Sequence, residues 1–280
     1  NDFKNAIQDA YNQGYECAKY LLDKNNQIRV RNDRSRIIPR DIKSVYIIPV
    51  ISENYPSLNH QVRHFLSYTT SEIIKAPVVM DIFFLDTMAE MLSNPLYFFT
   101  FLERRIEYLD KLISSQELTI LSHFLKMNLY VESNIGLMML SDDIASDLDA
   151  AMLVRREGVP GDPTPDGILT RNKNTILGHI ITSLEFCNDI DKLDIGIFLL
   201  SLSEKTIIYL SESIHKLGVK TLEDGNVHDL STEFPGISTG LTIHLSLDPV
   251  DIGYLKLFEH CEKRKYHQKA KTWYGIGISP

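Results

Sequence analysis

Apolar residues recur at the helical period from the first residues of the chain. Phe3, Ala6, Ile7, Ala10, Tyr11, Cys17, Ala18, Leu21 and Leu22 follow it, broken only at Gly14. This predicts an amphipathic helix to about Leu22. A basic, polar stretch follows and reads as a loop. Residues 42–51 (IKSVYIIPVI) are apolar and β-branched and predict a buried strand, with Pro49 near its end. Residues 58–74 read as a helix and residues 77–85 (PVVMDIFFL) as a second strand, with Asp86 capping a helix through Met91. Asn94 before Pro95 is a cap followed by a first helical turn. The helix it opens carries Leu96, Phe99, Leu102, Ile106, Leu109 and Ile113 on one face. Ser114 and Glu117 have capping-box spacing and predict a helix to about Tyr130. Ser141 starts another, with Ile144, Leu148, Ala151 and Met152 turned inward.

Residues 158–167 (GVPGDPTPDG) concentrate proline and glycine and predict a linker between residues 1–157 and residues 168–280. Beyond it the pattern alternates. A helix is expected over 171–187, a strand over 193–202 (LDIGIFLLSL), and a helix from a Ser203 cap through Leu217. A strand over 237–247 and a helix from Asp248 and Pro249 to about Lys269 come next. The last strand covers 273–278 (WYGIGI). The expected fold is mixed, helix-rich α/β: an incomplete small sheet with helices, a central helical block, and a second α/β layer near the C-terminus, ferredoxin-like or an open sheet.

Composition is that of an ordinary globular protein, with 44% hydrophobic and 24% charged residues in 280. The three cysteines, Cys17, Cys187 and Cys261, form no C-x-x-C pair, which speaks against a disulfide framework or a zinc knuckle. A reducing cytoplasm is the expected setting. No apolar run reaches the roughly 18 residues of a membrane span, and no signal peptide is visible. The net charge of −8 argues against nucleic-acid binding by the chain as a whole. Two local clusters run the other way. Arg29, Arg31, Arg34, Arg36, Arg40 and Lys43 crowd one loop, and Lys263, Arg264, Lys265, Lys269 and Lys271 surround Tyr266 and Trp273. Both could grip phosphates, and the second has rings to stack on bases. The competing reading is a solvated charged face.

Other constellations favour structural readings. Asp142, Asp143, Asp147 and Asp149 could hold magnesium or calcium, but the first two fall in a helix's first turn, where carboxylates favour the dipole. His60 and His64 share a helix face, yet the run reads HQVRH rather than H-E-x-x-H. Cys261 beside His260 lacks a base in reach, since adjacent helical residues diverge by about 100°. Gly275 and Gly277 permit close backbone approach.

The first helix (FKNAIQDAYNQGYECAKYLL), the strand at 42–51 and the strand at 77–85 resemble the rear of a restriction-endonuclease-like fold, the PD-(D/E)xK superfamily. The stretch from Val79 to Leu129 also resembles bacterial proteins with such a nuclease core upstream. In that superfamily a strand with an acidic-x-Lys pair precedes a helix bearing Gln and Tyr toward the active site. Here Gln13 and Tyr20 are seven apart rather than four, and Gln8 is three from Tyr11. The resemblance implies that Lys4, Gln8 and Gln13 face an active site. It implies catalytic acids ahead of Asn1, and magnesium as cofactor of the full-length protein rather than of this chain. The chain opens on Asn1 inside a helix without a cap, and so reads as the back part of a longer protein.

The expectation is therefore an accessory region of a bacterial nuclease-like protein that positions nucleic acid or a partner without a complete catalytic set. DNA, another copy or a partner protein are the expected partners. The alternative is a non-enzymatic oligomerisation or interaction scaffold, using the aromatic run from Tyr97 to Phe101. A third reading, an intact hydrolase built on Asp142–Asp149, predicts an ion at those carboxylates.

Overall fold

A computed structural model describes residues 2–37, 41–55, 57–131, 135–187 and 189–280. The fold is mixed α/β and rich in helix. The chain divides into two compact units, Asn1–Arg171 and Asn172–Pro280.

In the first unit, α1 (Asp2–Leu22) buries Ile7, Tyr11 and Ala18 against Ile47, Leu58, Val62, Leu66, Ile74 and Val79. Gly14 breaks the apolar period because a Cβ there would lie 2.7 Å from Ile47 Cγ2. The basic loop folds into a short antiparallel ribbon of β1 (Arg29–Val30) and β2 (Asp33–Ile37). The two expected strands do lie side by side and parallel, but the ladder is interrupted. Regular pairing covers only β3 (Val50–Ile51) and β4 (Met80–Asp81), with one further bridge from Val45 to Ile74. Pro49 and Pro77 have no N–H to give such a ladder. Between them α2 (Leu58–Val62) is one short helix rather than a long one. The residues beyond the turn that follows it are tied to α1. Gln8 donates to the Ser67 carbonyl (2.9 Å) and accepts the Ser67 N–H (2.9 Å), while the Tyr11 hydroxyl does the same to Thr69 (3.2 and 2.9 Å).

The helix expected from Asp86 starts earlier. Asp81 accepts the Phe84 N–H at 2.8 Å and turns IFFL into the start of α3 (Ile82–Met91). Asn94 caps α4 (Pro95–Glu107) as expected, through the Tyr97 N–H at 3.0 Å. After β5 (Leu112–Ile113) comes α5 (Glu117–Met127). Glu117 does not close a capping box. Its carboxylate faces the fully buried Arg105 guanidinium at 3.2 and 3.3 Å, since a buried cation demands an anion. β6 (Met138–Met139) pairs with β5, and a 3-10 turn at Asp142–Ala145 leads into α6 (Ser146–Glu157). The aromatic run goes inward: Leu96, Tyr97, Phe101 and Leu102 are core.

The Gly/Pro-rich stretch is no free linker. The Ile168 side chain is buried, its N–H donates to Leu125 O (2.7 Å), and Tyr97 Oη donates to Ile168 O (3.3 Å). Arg155 Nε holds the Pro163 carbonyl at 2.6 Å. Gly167, at φ 149°, is obligatory, because a Cβ would lie 1.9 Å from Leu125 O. The division between units falls after Arg171, beyond the expected linker.

The second unit holds α7 (Ile176–Leu184), α8 (Ile190–Ser201) and α9 (Glu204–Asp224), then β7 (His228–Phe234), β8 (Thr239–Leu245), α10 (Val250–Gln268) and β9 (Thr272–Ile278). The run expected as a strand at 193–202 is α8. Asp189 caps it through the Asp191 and Lys192 N–H groups, and a short apolar run does not by itself distinguish a strand from a buried helix. Ser203 caps α9 as expected. The sheet order is β7-β8-β9, with β8 antiparallel to β7 and parallel to β9.

Candidate functional site: the polar face of the second unit's sheet

Alternation along β8 separates two faces. Leu241, Ile243 and Leu245 bury an apolar face, joined there by Tyr274 of β9, whose ring stacks on Phe198 of α8 (5.0 Å). Gly240, Thr242 and His244 point the other way. Register brings Asp229 opposite His244, Ser231 opposite Thr242, Trp273 opposite Gly240 and Gly277 opposite His244. The polar face lies against α10. A Cβ on Gly275 would stand 2.9 Å from Cys261 Sγ and 3.1 Å from Leu257, so that glycine lets the helix approach.

A directed chain of hydrogen bonds runs through this layer. Trp273 Nε1, a donor only, bonds to Thr242 Oγ1 at 2.9 Å. Thr242 and Ser231 share a hydroxyl contact of 2.9 Å, and Ser231 Oγ lies 3.3 Å from His260 Nε2. Arg264 Nε donates to the same His260 nitrogen at 3.1 Å. That nitrogen is therefore the acceptor, and His260 Nδ1 turns its hydrogen to Asp229 Oδ2 (3.3 Å). The other oxygen of Asp229 meets His244 Nδ1 at 2.7 Å. One carboxylate thus orients two imidazoles. His244, only 3% exposed, is left with Nε2 shut off from solvent and, among the described residues, unpartnered. A buried polar atom in that state costs roughly 1–3 kcal/mol.

His244 is among the residues that line a cleft of about 290 Å³, with Ser246, Asp248, Tyr254, Leu257 and Gly277. Lys256 Nζ (2.7 Å) and the Ser246 hydroxyl hold the Asp248 carboxyl below its usual range. Cys261 is not activated. Burial pushes its thiol up, outweighing a hydrogen bond with Thr242 that acts the other way, and its Sγ lies 3.9 Å from the Tyr274 carbonyl.

At the other end of α10 the basic cluster stands in solvent. Tyr266 is 83% exposed. Lys265, Tyr266, His267 and Lys269 line an open hollow of about 580 Å³. Lys263 reaches Glu259 at 3.6 Å, and Arg264 is tied to His260 through Nε.

The remaining expected residues are dispersed in the first unit. Arg29, Arg31 and Arg36 are exposed on and around the β1–β2 ribbon, Arg34 lies in β2, and Arg29 bonds Gln27 at 2.9 Å. Arg40 lies outside the described residues. On α1, Lys4 sits over the Phe65 ring (5.3 Å), Gln8 is committed to Ser67, and Gln13 is exposed. The acidic cluster serves packing. Asp142 accepts from Ser115 Oγ (2.6 Å) and Thr119 Oγ1 (3.1 Å), and Asp147 pairs with Lys126 (3.3 Å). His60 and His64 contact edge to face at 5.2 Å. Among the described residues no group of three or more His, Cys, Asp or Glu side chains could hold a metal ion. Nor, among them, is any helix long and apolar enough to cross a membrane.

The chain pattern did not reveal Asp229, His244 or His260 as a group. The one available signal was the polar alternation of HDLSTEF against TGLTIHL, which reads as a buried polar face only once the register is known. No protein-family model, curated protein or solved structure matches the chain.

Proposed function

We propose that this chain is the accessory region of a bacterial nuclease-like protein, and that its second unit holds a single nucleic-acid strand at the basic, aromatic end of α10. The carrying observation is Tyr266, an almost fully exposed ring amid Lys263, Lys265, Lys269 and Lys271. Cations track a phosphate backbone, and an exposed ring offers a stacking platform to any base. The net charge of −8 leaves no general attraction to polyanions, so contact is confined to this patch and sensitive to salt.

Fluorescence anisotropy with labelled single-stranded DNA tests this. Replacing Lys263, Arg264 and Lys265 together by alanine should reduce the salt slope by about 2, at roughly 0.7 per lost phosphate contact. Tyr266→Ala should weaken single-strand binding several-fold, in line with the roughly 1–3 kcal/mol of one stacked base. Absence of salt-dependent binding by the unaltered chain rejects the proposal.

A second reading, self-association, is favoured by a different part of α10. Val250, Tyr254, Leu255 and Phe258 expose an apolar stripe on its first half, with Val250 87% exposed. Light scattering that finds only monomer at high concentration removes it.

A further inference from the structure

We infer that the outer edge of β9 pairs with the same strand of a second copy, antiparallel about a two-fold at Gly275, and that the apolar flank of α10 closes over the joint. This rests on the self-association reading and adds the surface, the register and the symmetry. β9 is an edge strand, with β8 on one side only. Ile278 O accepts the Ser246 N–H at 3.2 Å, and the Thr272 N–H turns to Ser238 O at 3.4 Å. Backbone groups alternate in direction along a strand, so Thr272, Tyr274, Ile276 and Ile278 serve β8. Trp273, Gly275 and Gly277 therefore aim their N–H and C=O groups outward, and among the described residues no strand meets them there. Gly275 and Gly277 are exposed, so that row is open to solvent. Strand edges are ordinarily blunted by charge, proline or a bulge. β7, the opposite edge, carries Asp229 and Glu233, whereas β9 (TWYGIGI) has no charge, no proline and an unbroken register with β8.

The row is complementary to itself. Antiparallel about Gly275, each Gly275 faces its copy and each Trp273 faces a Gly277, and every facing pair exchanges two bonds, about six in all. α10 is placed to match. Leu257 and Cys261 seat it on Gly275, and His260 reaches Ser231 of β7. At about 100° per residue, Tyr254 and Phe258 fall on the flank opposite His260, over the open edge. They are 65% and 55% exposed. Paired strands stand about 4.8 Å apart, so two helices that each lie over β8 and β9 meet at roughly 10 Å, an ordinary helix-packing distance. The rings of both copies then bury roughly 500 Å², about half of the roughly 1,000 Å² a specific interface needs, and Val250 and the edge add the remainder. Tyr266 lies about 180° around the helix from Leu257 and stays clear of the joint, so strand binding there is independent.

Sedimentation equilibrium of the full chain should show monomer and dimer in exchange. Gly277→Pro deletes one outward N–H and obstructs the partner strand, while the bonds to β8 remain, since proline is tolerated on an edge. It should weaken the dimer about tenfold. Tyr254→Glu combined with Phe258→Glu, both at exposed helix positions, should weaken it at least as much. Trp273 fluorescence checks that each variant folds. Register is read one pair beyond the strand ends. Lys271→Cys combined with Ser279→Cys should give a disulfide-linked dimer on mild oxidation, because facing Cα atoms then stand about 5.5 Å apart. Neither single variant should link above the unaltered chain. Unchanged dimerisation of folded Gly277→Pro, or no linkage of the paired variant beyond the single ones, overturns the inference and leaves self-association through the α10 stripe standing. An unaltered chain that stays monomeric at its highest soluble concentration removes both.

Discussion

Two histidines are almost equally hidden, each with one unpartnered nitrogen, and their surroundings differ. His123 sits on α5 of the first unit, 2% exposed, with Nδ1 unpartnered among the described residues. Its helix is buried nearly all round, and burial alone pulls its pKa below the ordinary value. His244 sits on β8, 3% exposed, also with one unpartnered nitrogen. There a carboxylate fixes the other nitrogen and ties the ring to a second imidazole, His260. Burial of a polar ring is thus not in itself a mark of function. An orienting anion distinguishes a ring fixed within a polar network from one tolerated as packing.

Three changes probe that difference. The largest effect is expected from Asp229→Ala, which takes the acceptor from both imidazoles. Hydrogen bonds to a charged group contribute about 1.5–3 kcal/mol each, so the second unit should lose roughly 3 kcal/mol. Trp273, the single tryptophan of the chain, reports its unfolding in urea. A loss under about 1 kcal/mol means that the carboxylate does not organise the layer.

The next effect belongs to His123. Its pKa is lowered on folding, so below the unfolded value, near 6.5, the unfolded chain binds more protons than the native one. The stability associated with the neutral ring is complete above that value and is lost as pH falls from it through the lowered folded value. His123→Met should flatten the decline between pH 7 and 5, by at most about 2 kcal/mol, the ceiling for one proton over that window, followed by circular dichroism. An unchanged slope would show that His123 gains a proton without penalty.

The smallest effect concerns the cleft wall. A Cβ on Gly277 meets only Leu257, at 3.7 Å, so Gly277→Ala should change stability by no more than about 0.5 kcal/mol. A larger loss would mean that α10 presses on β9 along its whole length rather than at Gly275.

Much of the helical framework was legible because its signals are local. Asn94 with Pro95 and Ser203 cap the expected helices, and the stripe of Ile7, Tyr11 and Ala18 faces the expected core. The errors arise where a nearby group overrides propensity. Asp81 captures the Phe84 amide and converts a β-prone run into α3, and the Asp189 cap does the same for α8. β7 was invisible for a different reason. One of its faces carries Asp229 and Ser231, whose partners on β8 are equally polar, so no apolar alternation announces it. The basic patch around Tyr266 could be seen in composition. The Asp229–His244 pair could not, since strand register alone unites it.

The strap that ends at Arg171 has a practical consequence for anyone dividing this protein. Trimming at residue 157, where punctuation invites it, would remove Ile168 from beneath Tyr97 and strip α5 of the backbone that satisfies Leu125. The excised front piece would carry an open wound in its interior, prone to clumping. A cut after Arg171 leaves that seal in place.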